Sequence, residues 1–311
     1  MAINKTTRKI LKALSFDGID VEKSRQLADL KRLDPMKIFY RKMDTKIYNG
    51  DYEIPVRIFF PDEESYQEKD EVTGKKVMLF LHGGGWVTDH IDNYERICAR
   101  LAANTDHVVA AVEYRLAPEY KFPVGLEDCY AVAQAVFGKK LLGNIRPEDI
   151  TLIGDSAGGN LAAALSLMAR DRGEFFPERQ ILIYPAVNND YSENSVFPSV
   201  RENGTDYLLT AGKLADYSSY YASCEEDRVN PYFAPILAKN LEHQPDTLIL
   251  TAEFDPLRDE GEAYGRRLWE AGNKVEIHRI KDALHGYFSL GIKYLHVQES
   301  FDYINRFLEE A

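Results

Sequence analysis

Several short, almost uninterrupted apolar runs punctuate the chain: Val77–Leu81, Val108–Val112, Ile150–Ile153, Ile181–Tyr184 and Thr247–Ala252. Runs of this length without polar alternation predict strands buried on both faces, the usual state of strands in a parallel sheet covered by helices. Apolar positions at helical spacing lie between and after them, over about 92–104, 125–138, 161–169, 260–271 and 293–309. A last strand is predicted over Val275–Ile280. Strand and helix alternating in this way predict an α/β fold with a mostly parallel, doubly wound sheet flanked by helices.

Two parts of the chain break this rhythm. Residues 1–43 read as helical, with Val21 to Leu33 at helical spacing before Pro35, and they carry no strand signal. Asp44–Tyr48 and Val56–Phe60 then read as strands joined by the turn signal Asn49-Gly50-Asp51. Asp62–Gly74 is acidic and polar, as in an exposed loop. The second break is 188–235, rich in Asn, Ser, Asp and Tyr, before the sheet pattern resumes. So long an excursion inside an α/β domain predicts a lid or a substrate-facing element.

Composition narrows the functional classes. The 311 residues carry a formal net charge of −12, with 45% hydrophobic and 28% charged residues. That acidity argues against a nucleic-acid partner, because phosphates are repelled and no long Lys/Arg cluster offsets it. The three cysteines, Cys98, Cys129 and Cys224, form no C-x-x-C pair and no metal-ligand spacing. They read as free thiols in a reducing compartment, and a cytoplasmic location is expected. The basic N-terminal stretch has no apolar core of signal-peptide length, and no run is long enough to predict a membrane helix. No metal and no organic cofactor is expected.

The candidate chemistry sits where an apolar run meets glycines, at Gly154-Asp155-Ser156-Ala157-Gly158-Gly159, followed by an alanine-rich helical stretch. Strand, abrupt turn and helix would hold the serine hydroxyl clear of the backbone. A chance G-x-S-x-G is expected in roughly one chain in twenty of this composition, so the pentapeptide needs support. A serine nucleophile needs a base and a group to orient it. Of seven histidines, His285 follows the last strand and is flanked by Gly286, at the sheet edge where such folds put their sites. His82 reads as shaping the glycine turn, and the other five read as structural or exposed. Asp255 follows the 247–252 strand and completes the order Ser156, Asp255, His285, with Glu253 and Asp282 as rivals. Asp259 reads as serving the first turn of the next helix. Gly83, Gly84 and Gly85, directly after a buried strand, can aim backbone N–H groups at an oxyanion. The N–H of Ala157, at the start of a helix, can join them.

His82-Gly83-Gly84-Gly85-Trp86, Tyr114-Arg115-Leu116-Ala117-Pro118-Glu119, Gly154-Asp155-Ser156-Ala157-Gly158-Gly159, Asp255-Pro256-Leu257-Arg258-Asp259-Glu260 and His285-Gly286 together resemble the hormone-sensitive-lipase-like esterases of the α/β-hydrolase fold. The Gly-Asp-Ser-Ala-Gly form resembles one of that family's two main branches. The match spans about residues 77–290 in the right order. The resemblance implies Ser156 as nucleophile, Asp255 as orienting acid and His285 as general base. It implies Gly84, Gly85 and Ala157 as oxyanion donors, with His82, Gly83, Trp86, Gly154, Asp155 and Gly158 as motif residues around them. It also implies a cap made of residues 1–43 and 188–235 on a hydrolase core of 44–187 and 236–311.

The reading that follows is a serine carboxylesterase acting on short-chain esters, acetyl esters among them, through an acyl-enzyme. Its partner is a small-molecule ester, with no nucleic acid and no membrane span; a homo-oligomer is compatible with the sequence. The same triad would serve an amidase or deacetylase, and related folds also carry non-catalytic ligand binders that have lost a triad residue. The tyrosines of the second break, Tyr191, Tyr207, Tyr217, Tyr220 and Tyr221, suggest hydroxyl contacts to a polar alcohol such as a sugar.

Overall fold

The computed structural model describes residues 5–15, 17–29, 35–50, 52–68, 74–143, 145–290 and 294–309. Its strands are β1 (Lys42–Asn49), β2 (Tyr52–Phe59), β3 (Lys76–Leu81), β4 (His107–Val112), β5 (Ile150–Asp155), β6 (Arg179–Ile183), β7 (Asp246–Phe254) and β8 (Val275–Leu284). They form one eight-stranded sheet in the order β1-β2-β4-β3-β5-β6-β7-β8. β1 and β2 pair antiparallel, as do β2 and β4, and every later pair is parallel. The expected mostly parallel, doubly wound sheet is therefore present. The central strands are mostly apolar because both faces are covered: every residue of β4, β5 and β6 is buried, the polar His107, Thr151, Asp155, Arg179 and Gln180 included.

The helices are α1 (Lys5–Leu14), α2 (Val21–Asp29), α3 (Glu63–Gln67), α4 (Ile91–Thr105), α5 (Val124–Phe137), α6 (Ala157–Arg172), α7 (Pro198–Asn203), α8 (Ala211–Tyr221), α9 (Arg258–Glu270) and α10 (Leu295–Glu309). Apolar side chains of α5, α6 and α9 pack on one face of the sheet, those of α4 and α10 on the other. α6 is apolar nearly all round and buried from Ala157 to Ala169, hence its low polarity in the sequence. It stops at Gly173, whose φ of 65° is the left-handed cap that ends helices. No helix among the described residues is long and apolar enough to cross a membrane.

Three differences from the sequence expectations have local causes. The 62–74 loop contains α3, because the Asp62 carboxylate accepts from Ser65 N–H at 2.8 Å and so closes a helical turn. β8 runs four residues past Ile280: after an irregularity in β7, Leu284 pairs with Phe254, and the polar Lys281 and Asp282 had hidden this extension. β1 begins at Lys42, inside the segment expected to hold no strand, because Lys42 and Met43 pair with Phe59 and Ile58 of β2. Residues 30–33 of the expected helix, Asp51 of the hairpin turn, 69–73 of the loop and Lys293 of the last helix lie outside the described residues.

The 188–235 segment carries α7 and α8 and is tied to the core and to the N-terminal helices. Asn160 on α6 donates to Ala186 O and Phe233 O, both at 2.8 Å, and so clamps its two ends. Trp86 stacks on Tyr221 with ring centres 4.6 Å apart. From α1, Arg8 reaches Asp206 at 2.9–3.0 Å, and Arg25 of α2 donates to Val87 O and Ala117 O and pairs with Glu119.

Candidate active site

β5 ends at Asp155 and α6 begins at Ala157, leaving Ser156 alone to make the turn. Its backbone sits at φ 55°, ψ −118°, a region that non-glycine residues avoid. The turn survives because it is held from outside: Ser156 N–H donates to Ile183 O at 2.9 Å. It also needs Gly158, since a β-carbon there would stand 2.0 Å from Leu81 O.

This strained turn lifts Ser156 Oγ to 2.9 Å from His285 Nε2. His285 Nδ1 lies 2.7 Å from Asp255 Oδ2. Asp255 is fully buried, and its other oxygen accepts from Leu257 N–H at 2.8 Å, which fixes the carboxylate plane. The structure thus brings together the serine, aspartate and histidine singled out in the sequence, each from the C-terminal end of a different strand. Of the rival acids, Glu253 accepts from Asp282 N–H at 2.7 Å instead. Asp259, expected to serve only its own helix, accepts from Ser199 N–H at 2.7 Å and so docks α7.

The glycine loop after β3 faces this row. Gly84 sits at φ 107°, a conformation closed to side chains, and a β-carbon there would collide with Thr88 O. Gly83 N–H is occupied by Asp155 Oδ1 at 2.9 Å and the Tyr94 hydroxyl at 3.2 Å. His82 is buried; its ring stacks on Tyr114 at 4.3 Å, and its Nδ1 lies 2.8 Å from Gly83 O. Burial holds its pKa below the ordinary imidazole value. Gly154 packs against Gly158, letting strand and helix approach closely.

Gly84, Gly85, Ser156, Ala157 and His285 line a cavity of about 180 Å³, with Leu209, Leu214 and Tyr217 from the 188–235 segment opposite. Of the five tyrosines expected to meet substrate, Tyr217 is the one on this lining. Tyr191 OH is engaged by Asn188 O and Glu260, Tyr220 OH donates to Ile19 O, Tyr207 stacks on Phe254 and Tyr221 on Trp86. Composition alone had no means of telling a pocket tyrosine from a packing one. Among the described residues, no group of three or more His, Cys, Asp or Glu side chains is placed to hold a metal ion. Cys98 and Cys129 are buried free thiols and Cys224 is exposed.

Sequence reasoning missed Glu260. Quoted there only as the last residue of the Asp255–Glu260 motif, it is fully buried, accepting from Val187 N–H at 2.8 Å and Asn188 N–H at 3.1 Å where the 188–235 segment begins. Burial pushes its pKa up from 4.5 to about 8, with the charge of Asp255 adding to the rise. The folded protein therefore keeps a proton that the unfolded chain releases near pH 4.5, and stability from this group is lost as pH rises from there through about 8. Glu260→Gln keeps an acceptor for both N–H groups and removes the titration. Urea unfolding near pH 5 and pH 9 should show the variant gaining on wild type by about 4 kcal/mol across that interval. Parallel curves would mean that Glu260 does not change charge there.

A family profile described as alpha/beta hydrolase fold matches residues 78–289. The chain is 36% identical over 246 residues to an arylesterase of Saccharolobus solfataricus, covering 78% of this chain and 76% of that protein. It is 33% identical over 239 residues to an ethyl acetate hydrolase of Pseudomonas putida, covering 76% and 72%. Among solved structures, a hyperthermophilic esterase from Pyrobaculum calidifontis superposes with a TM-score of 0.84 at 34% identity, covering 98% of this chain and 97% of that one.

Proposed function

The chain belongs to the hormone-sensitive-lipase-like esterases of the alpha/beta-hydrolase fold and is a carboxylic ester hydrolase, and from that premise we propose that it cleaves short-chain esters through an acyl-enzyme on Ser156. The observation that carries this reading is the row Ser156–His285–Asp255, at 2.9 and 2.7 Å, opening on a cavity beside the glycine loop.

Because the Asp255 carboxylate can only accept, it keeps the imidazole proton on Nδ1 and leaves Nε2 to accept from the Ser156 hydroxyl. Ser156 Oγ attacks the ester carbonyl carbon, and its proton passes to Nε2. The carbonyl oxygen becomes an oxyanion. Gly83 N–H is already spent on Asp155, so the loop's next two N–H groups, at Gly84 and Gly85, are the ones available to it, with Ala157 N–H at the positive end of the 16-residue α6. The C–O bond breaks and the alcohol leaves with the proton from Nε2. Water then gives a proton to Nε2 as it attacks the acyl carbon, and the acid departs with Ser156 restored.

α1, α2 and 188–235 act as the cap over this site, and Leu209, Leu214 and Tyr217 set the room for substrate. An apolar cavity of about 150 Å³ is filled by benzene, so about 180 Å³ suits a short acyl or small aryl group. The name of the Pseudomonas putida relative, an ethyl acetate hydrolase, supports the same size class.

A chain-length series of 4-nitrophenyl esters tests the reading. Wild type should prefer acetyl and butyryl over octanoyl esters. The Tyr217 ring lies against the α-carbon of Gly85, where a β-carbon would be 2.4 Å away. Tyr217→Ala empties that wall and should raise the octanoyl-to-acetyl ratio of kcat/KM by about tenfold. A long-chain preference in wild type would overturn the size class, and an unchanged ratio in the variant would remove Tyr217 from it.

A further inference from the structure

We propose that Asp155 is a positioning residue, whose carboxylate holds the glycine loop and the loop after His285 in register with the neighbouring Ser156. The proposal rests on the roles given to Ser156 and His285 above.

The two oxygens of Asp155 collect donors from three separate parts of the fold. Oδ1 accepts from Gly83 N–H at 2.9 Å, in the loop that carries Gly84 and Gly85. Oδ2 accepts from the Tyr94 hydroxyl of α4 at 3.0 Å and from the Tyr184 hydroxyl beyond β6 at 3.2 Å. Each tyrosine oxygen passes the constraint on. Tyr94 OH also accepts from Gly83 N–H at 3.2 Å, and Tyr184 OH accepts from Phe288 N–H at 3.2 Å, three residues after His285. The Tyr184 ring also lies 4.8 Å from the imidazole. Asp155 therefore grips the oxyanion loop directly and the His285 loop through Tyr184, while its own backbone leads into Ser156. The packing leaves no slack on the Gly83 side, where a β-carbon would be 2.9 Å from Oδ2.

The grip depends on charge. An ionised carboxylate accepts from all three donors, whereas a protonated acid or an amide presents hydrogens to hydroxyls that already donate to it. The groups facing the carboxylate are Gly83 N–H, Tyr94, Tyr184, Asp89 on the loop after β3, and His285; the Cys98 thiol and the Tyr114 and Tyr287 hydroxyls, all held neutral by burial, feel its charge. Burial, with Asp89 adding, pushes the Asp155 pKa up to about 6, while Tyr94, the attraction of His285 and Gly83 N–H pull the other way. The anion also favours the imidazolium formed during attack.

Asp155→Asn removes the charge and keeps the shape. Near pH 8, kcat should fall about ten- to a hundredfold with KM little changed, since small misplacements of reacting groups carry penalties of this order. As pH falls through about 6, wild type loses the same charge, so the ratio of wild-type to variant kcat should shrink toward one. A ratio constant with pH, or a variant as fast as wild type, would overturn the proposal. Should Asp155→Asn fail to fold by circular dichroism, Tyr94→Phe and Tyr184→Phe serve instead. Each removes one hydroxyl from the grip and should lower kcat several-fold at constant KM, and wild-type turnover in both would overturn the proposal. Ser156→Ala run in parallel separates the two readings. An inactive serine variant beside a normal Asp155→Asn defeats only the positioning role, whereas an active serine variant defeats the nucleophile assignment.

Discussion

Ser156→Ala is expected to abolish ester hydrolysis, lowering kcat by about 10⁶-fold while the protein stays folded. The magnitude follows from the way nucleophile and base act as a unit: removing either loses most of what the whole triad supplies. Residual turnover should come only from donors that polarise a bound carbonyl, worth about 10³–10⁴ over water. Alanine should be tolerated structurally, because the turn is held by backbone bonds from Ser156 N to Ile183 O and from Asn160 N to Ser156 O, which survive loss of the hydroxyl. The strained φ of 55° is no worse for alanine than for serine. The measurements are turnover of 4-nitrophenyl acetate, covalent labelling by a fluorophosphonate, and the initial alcohol burst of an acyl-enzyme. Wild type should be labelled at Ser156 and the variant not at all. Turnover near the wild-type rate would mean that the attacking group lies elsewhere.

How much of this site was legible in advance depended on the range of the interactions that define each part. The strands β3 to β7 could be read because burial on both faces leaves their middles mostly apolar, and that signature is local. Ser156, Asp255 and His285 could be read because each lies just beyond a strand, so the order of strands in the sequence carries the order of the site. The Gly83–Gly85 run had a local signature as well, but its division of labour did not. That Gly83 spends its N–H on Asp155 follows from a contact 72 residues apart in sequence. Glu260 was missed for the same reason, as its burial is decided by the chain at 187–191 folding onto α9. The cap tyrosines show the limit most plainly. Tyr191, Tyr217 and Tyr221 stand in similar polar surroundings in the sequence, yet one binds a buried glutamate, one faces the cavity and one stacks under Trp86. Such sorting is set by tertiary packing, which composition does not encode.

Asp255→Asn should lower kcat by about 10⁴-fold, a larger loss than its distance from the substrate suggests. Leu257 N–H would still find an acceptor in the amide oxygen, so the side chain should keep its place. The amide nitrogen then falls where Oδ2 stood, 2.7 Å from His285 Nδ1 in the native protein. It donates where the carboxylate accepted, which stabilises the tautomer with hydrogen on Nε2 and a lone pair on Nδ1. That tautomer cannot take the Ser156 proton. The buried charge opposite the imidazolium is lost as well, at a site that burial shields from bulk solvent. Glu253→Gln gives the contrast, because its carboxylate serves Asp282 N–H and its loss should leave turnover nearly unchanged. A double variant adds the decisive comparison: with Ser156→Ala already in place, Asp255→Asn should cost nothing further, because an orienting acid has no role once the hydroxyl it helps deprotonate is gone. Activity in Asp255→Asn above about a tenth of wild type, or additive losses in the double variant, would take the orienting role away from Asp255.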